Sequence, residues 1–188
     1  MTQPAARPAV SFADYIAMER VATVKHQLVH GEVFDMSGGS PQHAALGLST
    51  GAELRAQLQG KPCRAFSSDL RIRAGELVTY PDASVVCGPL ERDPEDPDTI
   101  LNPTVVVEVL SDSTEAFDRG KKSETYRSIA SLREYVLVDQ HAPHIEVYTR
   151  TDTGWTLREV RAGERIALAS IGCELDVNAV YEGVFEGA

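Results

Sequence analysis

The stretch from Thr104 to Leu110, TVVVEVL, admits few structures. Branched apolar side chains favour extended backbone, and an unbroken apolar run of this length reads as a strand covered on both faces. Alternation then places Val106, Glu108 and Leu110 on one face and Val105, Val107 and Val109 on the other. In that setting an unpaired carboxylate costs on the order of several kcal/mol. Glu108 is therefore either a strand-end acid met by solvent or an arginine, or a residue whose face opens into a cleft.

The elements around this strand alternate in type. Ser11 caps a first helix carrying Phe12, Tyr15 and Ile16, and HQLVHGEVFDM reads as two strands about His30-Gly31. Ser40 and Pro41 open a second helix, with Ala44, Leu48 and Ala52 on one face and a stop at Gly60. Strands are expected at Cys63–Ser67, Leu70–Arg73 and Thr79–Cys87. A helix from about Thr114 to Ala130 follows the Glu108 strand, and Glu134–Asp139, Ile145–Arg150, Trp155–Arg161 and Arg165–Ala169 complete the strands. The fold class is α/β in the broad sense, a mixed α+β sheet flanked by helices rather than a regular doubly wound series. Residues 1–10 are expected to be a disordered tail, and residues 11–188 one domain.

The 188-residue chain is long enough for a core without staples. No apolar run approaches the roughly 20 residues that span a bilayer, and the N-terminus lacks a signal-peptide core, so no membrane partner and a cytoplasmic location are expected. Cys63, Cys87 and Cys173 are an odd, scattered set and read as free buried thiols. The net charge of −10 argues mildly against nucleic acid, but it is unevenly spread. Acids crowd Gly88–Asn102, read as part of an exposed, mobile loop, whereas Arg119, Lys121, Lys122, Arg127 and Arg133 form a basic run.

A second acid, Asp82, follows Pro81 at the start of a strand. If that strand neighbours the Glu108 strand, the two carboxylates converge at adjacent strand ends. There they repel unless a proton or a cation lies between them. A hard ion such as Mg²⁺, with Mn²⁺ as substitute, takes one or two carboxylates plus waters and substrate phosphate, and the Val109 carbonyl is a candidate third ligand. Phosphodiester hydrolysis also needs a group that orients water and offsets developing charge. Asp118, Lys122 and Tyr126 are spaced i, i+4, i+8 on one helical face, so Lys122 rather than Lys121 is the cleft-facing candidate.

Together YPD, NPTVVVEVLSDST, DRGKKSETY and LREYVLVD, with HGEVFDMSGGSPQH and SSDLRIR upstream, resemble the Uma-type endonucleases of the PD-(D/E)XK nuclease superfamily. The resemblance runs from about Val24 to Gly183. It implies a restriction-endonuclease-like fold, DNA as substrate, Asp82 and Glu108 as metal ligands and Lys122 as the catalytic lysine. The superfamily lysine two residues after the Glu is absent, since position 110 is Leu. His43 matches a family position without a derived role, and Gln27 stands where family members often carry Glu. A homodimer that cuts two strands is implied by analogy.

Plainer readings stand beside these. Asp118 and Lys122 are also what a helix-surface ion pair looks like, worth about 0.2–0.5 kcal/mol, and Asp82 is a common turn acid. His141 and His144 alone make a poor zinc site, and Ser111 and Ser113 fit a helix cap better than a nucleophile. A catalytically weak nuclease-fold module that binds DNA or a protein is the alternative function.

Overall fold

The computed structural model of the protein describes residues 8–36 and 38–185. Ser11 accepts a hydrogen bond from the Asp14 N–H and starts α1 (Phe12–Glu19), which buries Phe12, Tyr15 and Ile16. Strands β1 (Lys25–Val29) and β2 (Glu32–Met36) form a hairpin at His30-Gly31, both with positive φ. A Cβ at Gly31 would lie 2.6 Å from that of Ala9, so close approach as well as φ requires glycine there. The expected tail lies outside the described residues for positions 1–7. Val10 is already tied to the fold, its N–H donating to the Gly31 carbonyl.

Two sheets carry the architecture. The first runs β2-β1-β5-β4-β7, adding β4 (Arg71–Ala74), β5 (Leu77–Thr79) and β7 (Thr99–Ile100). The second contains β3 (Cys63–Ser67), β6 (Ala83–Cys87), β8 (Val105–Leu110), β9 (Glu134–Asp139), β10 (His144–Thr151) and β11 (Gly154–Arg161). Its order is β11-β10-β9-β8-β6-β3, antiparallel except for the β8–β9 pair. A small hairpin, β12 (Arg165–Leu168) with β13 (Cys173–Asp176), leads into α5 (Val177–Tyr181). This is the mixed α+β fold expected, with mixed sheets flanked by helices.

Strand β8 is buried along its whole length, and its two faces serve different cores. Val105, Val107 and Val109 pack with Leu46 and Leu54 of α2 (Pro41–Gln57). Val106 and Leu110 pack with Tyr126, Tyr135 and Leu137. Glu108 thus points into the second core. Each buried aliphatic side chain contributes about 1.5–3 kcal/mol, an upper estimate because the unfolded chain is partly collapsed.

Several expectations need correction. The helix expected over 114–130 is broken into α3 (Glu115–Phe117), a π-helical turn (Asp118–Lys122) and α4 (Ser123–Arg127), with Gly120 non-helical at ψ −111°. The strand expected over 79–87 is interrupted at Tyr80–Asp82, where proline donates no ladder bond. Helix α2 ends at Gln57 and packs through Leu46, Thr50 and Leu54, while Leu48 is 75% exposed. The acidic loop is pinned: Asp96, 1% exposed, pairs with Arg71 at 2.7 Å, and Asp93 pairs with Arg73 at 2.8 Å. Cys63 and Cys87 are joined in a disulfide, because the β3–β6 register sets them directly opposite, and only Cys173 is a free thiol. Among the described residues no helix is long and apolar enough to cross a membrane.

Candidate active site

The register of β6 against β8 pairs Ala83 with Val107. Continued by one residue, it sets Asp82 opposite Glu108. Asp82 stands just outside the β6 ladder, so its side chain reaches across and accepts a 2.7 Å hydrogen bond from the Val109 N–H. His43 Nε2, from the first turn of α2, lies 3.5 Å from the same Oδ2. Burial holds the Asp82 carboxyl above the usual range, opposed by His43, the Val109 N–H and Lys122.

Behind Asp82 lies a buried charge cluster. Lys122 Nζ is 2.9 Å from Glu108 Oε1 and 3.0 Å from Asp118 Oδ1, and the Tyr126 hydroxyl donates to Glu108 Oε1 at 3.0 Å. Tyr135 donates to the Asp118 carbonyl at 3.1 Å, tying the π-helical turn to β9. Glu108, Asp118 and Lys122 are 4%, 2% and 5% exposed. Burial pushes the Glu108 carboxyl up to about 8; Lys122 opposes this, while Asp118 and Asp82 add to it. For Lys122 burial acts the other way, but the two carboxylates outweigh it and hold the ammonium above its ordinary range. The two carboxylates therefore favour the charged form of the lysine.

A cavity of about 720 Å³ opens beside this cluster, lined by His43, Leu48, Arg55, Phe66, Tyr80 and Asp82 among others. Glu108 and Lys122 do not line it; they sit in the wall behind Asp82. A Cβ on Gly39 would meet the His43 ring at 2.7 Å, so glycine there leaves room for the imidazole beside the acid. Sequence reasoning left His43 without a role. Its signal was the position three residues after the Ser40 cap, on a helix whose first turn meets the end of β6.

Asp82, Glu108 and Lys122, predicted from widely separated segments, therefore meet at one end of the second sheet. Val109 enters through its N–H, which is spent on Asp82. Gln27 accepts a hydrogen bond from Thr79 Oγ1 at 3.3 Å, three residues before Asp82. The basic run is partly spent inside the protein. Arg119 pairs with Glu115 and Glu146, and Arg127 donates to the Ser123 carbonyl, leaving Lys121 and Arg133 exposed. His141 pairs with Asp112 and His144 with Glu159, far from a shared metal set.

Among the described residues no group of three or more His, Cys, Asp or Glu side chains is arranged to hold a metal. The donor set does fit a hard divalent ion that takes few protein ligands. Asp82 Oδ1 and Glu108 Oε2 carry no hydrogen bond among the described residues, and both acids resist ionising in their present surroundings. A cation held between them would relieve that resistance.

The mixed sheets flanked by helices are of the restriction-endonuclease-like class, and on them Asp82 stands just before β6, Glu108 lies within β8 and Lys122 lies against Glu108. The chain belongs to the Uma2 family, described as "Putative restriction endonuclease", whose model matches residues 12–178. Two uncharacterised proteins of Synechocystis sp. are similar: one is 35% identical over 94% of both chains, the other 32% identical over 79% of this chain and 85% of its own. A crystal structure of a "putative nuclease belonging to DUF820" from Anabaena variabilis shares the fold. Its TM-score is 0.72 at 15% identity, over 87% of this chain and 93% of that one.

Proposed function

We propose that the protein is a metal-dependent DNA endonuclease that hydrolyses phosphodiester bonds. The observation that carries this reading is the meeting of Asp82, Glu108 and Lys122, with Lys122 Nζ 2.9 Å from Glu108. Asp82 and Glu108 would hold Mg²⁺, or Mn²⁺ in its place, with the Val109 carbonyl as a backbone ligand. When bound, the ion supplies positive charge that offsets charge building on the phosphate.

The chain's own residues have distinct tasks. The Val109 N–H fixes the Asp82 rotamer without neutralising it. Lys122, held charged between two acids, orients the attacking water and stabilises the developing anion; a permanently protonated amine does not act as the base. Tyr126 and Asp118 keep the ammonium aimed at Glu108. A cytoplasmic homodimer cutting two strands is part of this proposal, supported by analogy of fold alone. The Cys63–Cys87 disulfide removes the free-thiol argument for the cytoplasm.

The test is nicking of supercoiled plasmid by purified protein with Mg²⁺ or Mn²⁺, beside Glu108→Ala. Nicking lost in the variant supports the enzyme, and equal residual nicking in both refutes it. One observation favours a second reading, a binding module of the same fold: Lys122 is already engaged by both Glu108 and Asp118 in a buried cluster.

A further inference from the structure

We infer that the cavity along α2 is the track for a DNA strand, gripped by Arg55 and Arg64 rather than by the basic run after Arg119. This deepens the nuclease reading and rests on it. Arg55 lines the cavity from α2, while Arg64 of β3 lies outside the lining but next to two lining residues, Ala65 and Phe66, its guanidinium 5.7 Å from the Phe66 ring centroid. Both are exposed, and neither makes an ion pair among the described residues. In a chain of net charge −10, two unspent guanidinium groups beside one trough form a local site for phosphate. The other cation of the wall, Lys25, is spent on Asp69 at 2.6 Å and the Ser68 carbonyl at 2.9 Å.

The wall itself has been kept low. Gly47 and Gly51 lie inside α2, where each costs about 0.5–1 kcal/mol relative to alanine. A Cβ would meet nothing closer than 3.7 Å at Gly47 and 3.9 Å at Gly51, so packing does not demand glycine at either position. With Ala44 and Ala52 they leave a smooth channel that ends on Asp82 and His43. Leu48, 75% exposed, and Phe66 supply apolar surface for sugar and base. A strand laid along this channel brings a phosphate to Asp82 while Arg55 and Arg64 hold its neighbours.

The test is fluorescence anisotropy of a labelled 15-nucleotide single strand and its duplex, with Ca²⁺ replacing Mg²⁺, across a salt series. Arg55→Ala combined with Arg64→Ala is expected to weaken binding about tenfold and to lower the salt slope for the single strand by about 1.4, at about 0.7 per phosphate contact. The melting temperature should not change, since both side chains are exposed and unpaired. Lys121→Ala with Arg133→Ala is expected to change affinity less than about twofold. Unaltered binding by the Arg55/Arg64 variant, transfer of the loss to the Lys121/Arg133 variant, or no binding of either oligonucleotide by the intact protein each overturns the proposal. An oligonucleotide held through Arg55 and Arg64 yet never cut keeps the track and removes only the nuclease reading.

Discussion

Replacing Lys122 with methionine tests the charge cluster most directly. The substitution preserves much of the side-chain volume and removes the cation that lies between Glu108 and Asp118, at 2.9 and 3.0 Å. Two acids nearly sealed from water then face each other, and one must take up an additional proton. At pH 7.5, protonating a carboxyl of ordinary pKa near 4 costs about 1.4 kcal/mol per pH unit over about 3.5 units, close to 5 kcal/mol. Methionine packing offsets part of this, so the expected loss is about 3–5 kcal/mol, the usual range when one partner of a buried ion pair is removed. For a chain of this length that corresponds to a fall in Tm of about 6–20 °C. At pH 5 the same proton costs only about 1.4 kcal/mol, and the fall shrinks to about 3–6 °C. Thermal unfolding followed by circular dichroism at both pH values reads the difference. Adding Asp118→Asn to Lys122→Met should recover at least half of the loss at pH 7.5. Equal losses at the two pH values mean that packing alone was removed, and the electrostatic account fails.

Further outcomes follow from the same geometry. Glu108 has a folded-state pKa raised from 4.5 to about 8, so between those values the folded protein holds a proton that the unfolded chain releases. Its contribution is complete below about 4.5 and is lost as pH rises through about 8. Glu108→Gln should flatten that part of the stability profile, and an unchanged slope in calorimetry would count against the burial of this acid. Mg²⁺ at ten times its Kd should stabilise the protein by about 1.4 kcal/mol, or about 3–6 °C in Tm, and Asp82→Asn should abolish the shift. A shift that survives in the variant moves the ion elsewhere. Asp96→Ala strands the buried Arg71 guanidinium, which also donates to Thr99 and Tyr80, and should cost about 3–5 kcal/mol in urea unfolding. A cost below about 1 kcal/mol is what a loose acidic loop would give.

The sequence was most legible where one local rule governs a residue. Ser40 with Pro41, and the alternation through Val105–Leu110, depend only on neighbours in the chain, and both appear as expected. Spacing alone also selected Lys122 over Lys121: Lys122 is buried and Lys121 exposed despite the π-helical turn between Asp118 and Lys122. Legibility failed where the deciding partner is distant. The acids after Gly88 look like a solvated loop until Arg71 and Arg73 of β4 are set against them. Cys63 and Cys87 look unrelated until the β3–β6 register is known. Ala44, Leu48 and Ala52 do share a face of α2, but that face borders the open cavity rather than the core, and Leu48 is exposed. His43 next to Asp82 depends on where α2 crosses the sheet, which no periodicity encodes.

The clamp on Asp82 has a consequence for how this protein tolerates mutation. The group that holds the acid is a main-chain amide, present whatever side chain occupies position 109. Of the twenty amino acids only proline lacks it. Drift at that position can reshape the neighbouring core while the acid's aim is inherited intact, so the orientation is written into strand pairing rather than into any one codon.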